Sequence, residues 1–340
     1  MKNGKVSESI FKRSILKHIK TKRNEVLSGA GLGVDCAIFS LNNTEKMVTA
    51  TEQAVVKIET DTEKEAPLRI SMEHLIQRCL NDLVATGAEC LAVSLSMMMP
   101  KSTEEYRIKQ MILDAQKICG ACNIQIAGVD TKVMEIVKEP VVTVIGFGRL
   151  IEDYDISKQK PVPGQDIVLT KWIGLEGTAM LAEVNREHLL QRYPAYLVDE
   201  AASFQQFLSI IPEAATAIKS GVYAMHNANE GGIFAALWEM AERSGVGLTI
   251  DLKKIPLRQE TVEVCERCNC NPYELLCGGC MIMTAEDGLG LVATLHEQGI
   301  PATIIGKITD SNDRIIMNDD EVRYMDRPKT DAIYTYGMNS

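Results

Sequence analysis

The spacing of apolar residues divides the chain into short strands and amphipathic helices that alternate along most of its length. Continuous or alternating apolar runs predict strands, and apolar residues that recur every three or four positions predict helices. In the first half this pattern predicts an N-terminal helix at 1–24 and a glycine-rich turn that enters a strand at 29–39. It then predicts strands at 48–56, 90–98, 124–131 and 141–150 and helices at 71–87 and 104–119.

A turn at 161–164, which contains two prolines and a glycine, marks the start of a second domain. Beyond it the pattern predicts strands at 167–170, 281–285 and 302–308 and helices at 174–182, 200–211, 260–269 and 289–298. The charge-rich residues after 310 predict an irregular tail. We therefore expect an α/β (α+β) chain with domains at 1–155 and 162–312 and an irregular segment at 313–340.

The stretch 221–250 combines features that are common in ligand sites. It predicts a polar loop at 226–230, a tight turn at Gly231 and Gly232, a helix that ends at Gly245, and a strand at 246–250. A polar loop that enters a helix leaves backbone N–H groups free to bind an anion such as a phosphate. The same loop could instead only cap its own helix, and the residues alone leave both interpretations open.

Composition and charge argue against several classes of function. The net charge of −10 argues against nonspecific nucleic-acid binding, because no basic excess exists to replace counterions, and it suits carboxylates that hold Mg²⁺. No apolar run approaches the roughly 20 residues that span a bilayer, and the basic N-terminus lacks the continuous apolar core of a signal peptide. Ten cysteines without a secretion signal indicate free thiols in a cytoplasmic protein.

Hard oxygen donors in the first half lie at predicted strand ends or on one helix face: Asp35, Glu52, Asn81, Asp82, Asp130 and Thr131. Donors gathered in this way suit Mg²⁺ that is bridged to nucleotide phosphates. Each residue alone is more often a turn or cap residue, so only the shared placement favours the functional interpretation. The sequence contains no P-loop and no complete dinucleotide fingerprint, which argues against a Walker or Rossmann enzyme.

Several segments resemble motifs of the aminoimidazole-ribonucleotide synthetase (PurM) superfamily. In the first half GLGVDCAIF, NDLVATGAECLAVSLSMMMP and IAGVDT resemble its G-x-G-x-D-x-A strand, its N-D-[IL]-x-x-x-G-A-x-P-L segment and its G-G-D-T motif. In the second half PGQDIVLTKWIGLEGTAML, AMHNANEGGIFAALWEMAERSGVGLTIDLKKIPL and NPYELLCGGCMIMT resemble three segments of its C-terminal domain. The resemblance covers roughly residues 5–310 in the expected order, and within the superfamily it is strongest to the HypE-like hydrogenase maturation proteins.

This resemblance implies a PurM-like two-domain fold and a homodimer in which the N-terminal domains form a shared β-barrel. It also implies ATP with Mg²⁺ at the cleft between the domains. The metal ligands would be Asp35, Glu52, Asp82 and Asp130. The nucleotide would contact these residues and also Asn81, Thr131, Gly231 and Gly232, and the catalytic residues would be His226, Asn227 and Glu230.

Three departures from the family pattern narrow what the resemblance implies. Asn227 stands where many relatives have Asp, Glu52 stands where HypE usually has Asp, and the last cysteine is Cys280, whereas HypE ends in a modifiable cysteine. We therefore expect an enzyme that uses Mg-ATP to phosphorylate an amide- or thioamide-like oxygen of a small molecule or carrier protein, and not the self-modifying HypE reaction. The alternative is a nucleotide-binding maturation or scaffold protein without turnover. We expect neither a nucleic-acid nor a membrane partner.

Two sets of residues allow two interpretations each. The spacing of Cys265, Cys268, Cys270, Cys277 and Cys280 could supply a thiolate metal site. We favour the alternative, in which Cys277 and Cys280 occupy small-residue positions of the family's glycine turn and the cluster is reduced and metal-free. His226 could be a general acid or base near neutral pH, or it could be a hydrogen-bonded structural histidine.

Overall fold

The computed structural model describes residues 3–42, 44–57, 69–150 and 160–334. The chain divides into two compact units. The N-terminal unit comprises Asn24–Gly29 and Asp35–Glu152, and the C-terminal unit comprises Met1–Arg23, Ala30–Val34 and Asp153–Ser340. The mixed α/β fold with two sheets agrees with the fold class that the sequence predicts.

The first residues of the chain belong to the C-terminal unit and not, as predicted, to a domain at 1–155. They form a short helix α1 (Glu8–Ile10), a π-helical turn (Phe11–Ile15) and a 3₁₀ turn (Leu16–His18). Glu8 accepts a hydrogen bond from Trp238 Nε1 at 3.2 Å, and Lys12 Nζ lies 2.8 Å from Glu242 Oε1. These contacts with residues about 230 positions away in sequence explain why local patterns could not place the segment.

The N-terminal unit is a six-stranded sheet covered by helices. The strand order is β1 (Val26–Ser28), β2 (Cys36–Ser40), β3 (Lys46–Val55), β6 (Val141–Leu150), β4 (Ala88–Met99) and β5 (Gln125–Val133). Of these six described strands, only β4 and β5 pair in parallel. Helices α2 (Met72–Ala85) and α3 (Glu105–Ala121) pack together, and α2 covers the sheet face that buries Val93, Leu95 and Met97.

The C-terminal unit contains a seven-stranded sheet. Its order is β13 (Glu321–Tyr324), β12 (Arg314–Asn318), β9 (Gly247–Asp251), β11 (Ala302–Thr309), β7 (Asp166–Thr170), β10 (Cys280–Ala285) and β8 (Ala224–Ala228). The helices are α4 (Leu175–Val184), α5 (Arg186–Leu190), α6 (Ala195–Ser203), α7 (Ile211–Lys219), α8 (Gly232–Ser244), α9 (Gln259–Cys268) and α10 (Gly288–Glu297). Buried residues of the strands and of α8, such as Ile167, Ile282 and Leu237, form the core.

Two predicted elements of this unit are wrong. The helix predicted at 200–211 is divided, because α6 ends at Ser203, a 3₁₀ turn follows, and Pro212 lies in the first turn of α7. The tail predicted to be irregular contains β12 and β13. Ile316 of β12 is buried and pairs with Ile250, and Asp319 adopts positive φ in the two-residue hairpin loop.

In the part of the chain that the structure describes, no helix is both long enough and apolar enough to cross a membrane.

The six described strands of the N-terminal unit form a sheet with β1 and β5 at its edges. The shared barrel therefore stays a prediction about an assembly of two chains.

Candidate functional site

The polar pair of α2 is buried inside the N-terminal unit. Asn81 is 2% exposed and Asp82 is 4% exposed. Asn81 Oδ1 accepts a hydrogen bond from Gln77 Nε2 at 2.8 Å. Asp82 lies in the last turn of α2, where the partial negative charge of the helix C-terminus disfavours a second negative charge. A carboxylate in this position could serve as a ligand of a bound cation.

Glu52 of β3 and Asp82 of α2 lie within electrostatic reach of one buried thiol, that of Cys79. Burial, followed by the charges of Asp82 and Glu52, raises the pKa of Cys79 well above its usual value. Gly146 of β6 permits this arrangement, since a Cβ atom there would stand only 2.7 Å from Cys79 Sγ. The close approach of the helix to the sheet thus brings two of the predicted ligands into the same region.

Asp35 lies next to this region. It is exposed and directly precedes β2. The next residue, Cys36, is buried, and its Sγ donates a hydrogen bond to the main-chain oxygen of Asp82 at 3.3 Å. This contact holds the start of β2 beside the end of α2. Asp35 thus neighbours in sequence a residue that contacts Asp82, and we refer to Asp35, Glu52 and Asp82 together as the acidic region.

Asp130 is not brought to this region within one chain. It lies on edge strand β5, and its side chain is 64% exposed and 3.5 Å from Lys132 Nζ. Three strand spacings, about 14 Å, separate β5 from β3. Glu52 is the register partner of Val144, which in turn pairs with Leu95, and both of these are buried beneath α2. Asp130 pairs instead with Ser96, the residue next to Leu95. Because neighbouring residues of a strand point to opposite faces, Asp130 projects from the sheet face opposite to Glu52. Its neighbour Thr131 is exposed.

The acidic region fits magnesium that arrives with a nucleotide better than it fits a pre-formed metal cage. Among residues 3–42, 44–57, 69–150 and 160–334, no group of three His, Cys, Asp or Glu side chains could hold a metal ion. Mg²⁺ usually keeps several waters and takes one or two protein carboxylates together with substrate phosphates. Two carboxylates near Cys79, with Asp35 close by, match that smaller requirement.

In the C-terminal unit, the loop predicted at 226–230 is wrong at its start, because Ala224–Ala228 forms β8. This strand pairs with β10 and places His226 opposite Ile282 and Asn227 opposite Met281. Both polar residues are buried. The pattern misled because a fully buried strand normally carries apolar residues. The connection to α8 is therefore shorter than predicted, and the two glycines that begin the helix have φ values of 89° and 72°.

His226 forms an ion pair with Glu239 of α8 when it is protonated. Its Nε2 lies 3.5 Å from Glu239 Oε2. Burial opposes ionisation of Glu239, but the charge of Lys5 and the hydrogen bond and charge of His226 hold the pKa of Glu239 below its usual value. The contact therefore places an imidazole beside a carboxylate, two groups that are common in acid–base chemistry.

The N-terminal segment and the C-terminal residues both reach the start of α8. Glu230 Oε1 accepts a hydrogen bond from the backbone N–H of Lys5 at 2.7 Å. Asp331 Oδ2 accepts one from the N–H of Gly231 at 2.6 Å, and its Oδ1 accepts from Leu276 at 3.1 Å and from Ile333 at 2.9 Å. Asp331 was missed in the sequence, because 100 positions separate it from the glycine it binds.

Replacing Asp331 by Asn is expected to remove a pH dependence of stability. Burial raises the pKa of Asp331 to about 7 against the opposing effect of its backbone N–H donors. Since this value exceeds the roughly 3.9 of an unfolded Asp, the proton favours the folded state, and the stability it contributes declines from about pH 4 to pH 7. Asn does not titrate in this window.

The measurement is urea unfolding of the wild type and Asp331→Asn at pH 4 and pH 8. We expect the unfolding free energy of the wild type minus that of the variant to be about 2 kcal/mol lower at pH 8 than at pH 4. This is less than the pKa shift alone would give, because relaxation and water penetration reduce its effect. Asp326→Asn, which changes an exposed carboxylate, is the control. A difference that is equal at both pH values would contradict the prediction.

The cysteines of the C-terminal unit separate into two groups. Cys265 shares a hydrogen bond with Cys270 and lies near Cys268. Cys277 lies in the turn before β10 and Cys280 is the first residue of β10, with their sulfur atoms 3.1 Å apart. All ten cysteines are free thiols. The absence of bound metal stays a prediction.

Comparison with known proteins places both halves of the chain in one family. Residues 33–150 match the N-terminal domain of the AIR synthase related proteins, and residues 162–318 match the C-terminal domain of the same proteins. The two matches together span most of the chain and occur in the same order as in the family.

Two relatives extend this result. A protein of Methanocaldococcus jannaschii, named for hydrogenase expression and formation, is 26% identical over 320 residues, which cover 92% of this chain and 91% of that protein. The carbamoyl dehydratase HypE of Rhizobium leguminosarum is 24% identical over 235 residues. That alignment covers 67% of this chain and 65% of the relative, just under two thirds of its length.

Solved structures show the same fold. HypE in its complex with HypF has a TM-score of 0.74 at 18% identity, covering 94% of this chain and all of that one. HypE in complex with ATP has a TM-score of 0.69 at 15% identity, covering 98% of this chain and 97% of that one. At these identities the likeness establishes the two-domain architecture.

Proposed function

The chain belongs to the AIR synthase related family, and we propose that it is an enzyme that uses Mg-ATP to phosphorylate an amide- or thioamide-like oxygen of a small molecule or carrier protein. The observation that carries the proposal is the acidic region formed by Asp35, Glu52 and Asp82. It combines a buried carboxylate at a helix C-terminus with a second carboxylate near the same thiol. Mg²⁺ can take one or two such carboxylates as ligands together with phosphate oxygens. The shared fold with an ATP-bound HypE supports the choice of nucleotide.

Each side chain of the acidic region has a distinct part in this proposal. ATP, when bound, would supply the phosphoryl group that turns the acceptor oxygen into a leaving group. Asp82 and Glu52 would hold Mg²⁺ in a fixed position, because α2 and β3 are rigid elements of the core. Asp35 is exposed and would add a ligand from the start of β2, while Asn81 would hydrogen-bond to the nucleotide. The main contributions are positioning and neutralisation of phosphate charge.

The C-terminal unit would contribute the proton chemistry. His226 Nε2 lies 3.5 Å from Glu239 Oε2, and this carboxylate would orient the imidazole. Glu230 is a second carboxylate at the start of α8, held by the N–H of Lys5. Asn227 lies between His226 and Glu230 in sequence. It is buried, and its amide can donate or accept a hydrogen bond without carrying a charge. We propose His226 as the acid or base, with Asn227 and Glu230 as orienting groups.

The acceptor is proposed to be a separate molecule. A self-modifying reaction needs a thiol that is free to move to the phosphates. All ten thiols of this chain are buried or half-buried, and Cys280 lies in strand β10 with no exposed surface.

Incubation with ATP, Mg²⁺ and a carbamoyl-transfer partner tests this proposal. Phosphate release is expected to rise when a suitable acceptor is added, while intact mass spectrometry of this chain shows no carbamoyl or cyano adduct. A stable adduct on any residue would show that the chain modifies itself.

Nucleotide binding without phosphate release, whichever acceptor is added, would instead support the second candidate, a nucleotide-binding maturation or scaffold protein. The observation that favours this candidate is Asn227, a buried amide that supplies no carboxylate where the family resemblance implies one.

The protein is also proposed to be a homodimer that pairs through the N-terminal sheets. The sheet face opposite α2 presents half-buried apolar residues, including Met98, Ile145 and Phe147. Asp130 projects from the same face, so any contact it makes with the nucleotide would depend on the assembly. Light scattering at micromolar concentration is expected to give the mass of two chains. A mass of one chain would contradict the dimer and leave the acidic region of each chain unaffected.

A further inference from the structure

The turn Cys277–Gly278–Gly279–Cys280 holds two thiols in contact inside the C-terminal unit. Both cysteines have no exposed surface, and their sulfur atoms lie 3.1 Å apart. A disulfide bond is about 2.05 Å long, so the sulfurs would need to approach by only about 1 Å. The backbone already folds back on itself, since Cys280 Sγ donates to the main-chain oxygen of Cys277 at 3.3 Å and Gly279 has a φ of 103°.

The two sulfurs have different electrostatic surroundings. Cys277 Sγ accepts a hydrogen bond from the N–H of Gly174 at 3.3 Å. Gly174 is the N-cap of α4. The hydrogen bond to Cys277 and burial raise the pKa of Cys280, against the opposing charge of Lys171. Since Cys277 Sγ accepts a hydrogen bond from a helix N-cap and Cys280 Sγ donates one to a main-chain oxygen, we take Cys277 as the attacking sulfur.

We propose that Cys277 and Cys280 form a reversible dithiol–disulfide pair whose oxidation state controls the start of α8. The oxidant class is a hydroperoxide, which is small enough to reach a buried sulfur during local opening. The Cys277 thiolate attacks one peroxide oxygen, the O–O bond breaks, and hydroxide leaves. The Cys280 sulfur then attacks the resulting sulfenic acid, an S–S bond forms, the S–O bond breaks, and water leaves. The pair loses two electrons, which reduce hydrogen peroxide to two waters.

The backbone links this pair directly to the residues at the start of α8. The N–H of Cys277 donates to the carbonyl oxygen of Asn229 at 3.1 Å, and Cys280 is the register partner of Ala228. The adjacent Leu276 donates its N–H to Asp331, which also binds Gly231. Drawing the sulfurs together therefore pulls on the Ala228–Gly231 connection through contacts that are already formed.

A second pair of cysteines with the same spacing shows whether spacing alone could explain oxidation of Cys277 and Cys280. Cys265 and Cys268 have the same two-residue separation, but they lie within helix α9, and Cys265 shares its hydrogen bond with Cys270. If spacing alone governed oxidation, this second pair would react equally well. The turn geometry and the contact with α4 are specific to Cys277 and Cys280.

The test treats the full chain, first reduced and desalted, with one equivalent of hydrogen peroxide. Alkylation and peptide mapping should show a Cys277–Cys280 crosslink, the loss of two alkylatable thiols and their return with dithiothreitol. Hydrogen exchange of a peptide covering 227–232 should change several-fold between the two states. Cys268→Ser should behave like the wild type, whereas Cys277→Ser and Cys280→Ser should lose both responses.

Several results would overturn the proposal. The proposed disulfide would be refuted if oxidation were confined to Cys265, Cys268 and Cys270. It would also be refuted if Cys277 were oxidised to sulfinic acid without a crosslink. Stoichiometric zinc or iron bound through these thiols in the purified protein would refute it as well. A crosslink that leaves the exchange of 227–232 unchanged would refute the control of α8. The wild-type peptide map gives these answers even if the serine variants do not fold, and none of them depends on nucleotide binding.

Discussion

Replacing Asp82 by Asn should weaken magnesium-dependent ATP binding at least about 100-fold, or about 2.8 kcal/mol. The variant keeps the shape of the side chain but removes the buried charge that would meet the cation. The hydrogen bond from Cys36 to the main-chain oxygen of Asp82 does not involve the side chain and should remain in the variant.

Calorimetry with ATP in the presence and absence of Mg²⁺ measures this effect, and thermal unfolding checks the fold. Asp310→Asn is the matched control, since it changes an exposed aspartate just beyond β11 and should bind like the wild type. Equal binding by Asp82→Asn and the wild type would refute the site. If the wild type itself shows no magnesium-dependent binding, the proposed function fails as well.

The second large effect concerns the buried ion pair of the C-terminal unit. Lys171 Nζ lies 2.6 Å from Glu213 Oε1 and donates to the main-chain oxygens of Phe207 and Ser209 at 2.8 and 2.6 Å. Both charged residues are buried. Lys171→Met should therefore lower the unfolding free energy by about 3–5 kcal/mol, because it leaves the Glu213 carboxylate buried without its counter-charge.

Urea unfolding measures this loss, and a double variant shows its origin. Lys171→Met combined with Glu213→Leu should recover part of the stability, since two apolar side chains can replace a buried pair at lower cost. Lys253→Met breaks an ion pair whose two side chains are 61% and 67% exposed and should cost less than about 1 kcal/mol. A loss for Lys171→Met as small as that of the exposed pair would contradict the argument.

The sequence predicted most of the architecture because local patterns carry it. Strand β6 at Val141–Leu150 has the predicted bounds, and α2 begins after Ser71, whose hydroxyl accepts the N–H of His74 at 3.1 Å. Such features depend on alternation and capping, which neighbouring residues determine. Strand β8 was missed because His226 and Asn227 are polar although buried. Strand β12 was missed because surrounding charges conceal its short apolar core.

The candidate site was predictable in kind but not in arrangement. Asp35, Glu52 and Asp82 could be selected as oxygen donors. The structure brings Glu52 and Asp82 near the thiol of Cys79, and it brings Cys36, the neighbour of Asp35, into contact with the main chain of Asp82. Asp130 had the same appearance in sequence, yet the strand order sets it apart from the others. Strand order and sheet face depend on contacts between distant segments, so spacing along the chain does not reveal them. Asp331 and Glu239 were not selected for the same reason.

The docking of the N-terminal segment on α8 has a consequence for how the protein is made. Lys12 leaves the ribosome long before Glu242, which lies 230 positions later. At about 5–20 residues per second, roughly 10–50 s of translation separate the two residues. Throughout that interval the basic segment has not met Glu242 and Trp238, while the strands of the N-terminal unit can already pair. The first residues to be synthesised are thus among the last to reach their final position. They can dock only after the residues of α8 have been synthesised.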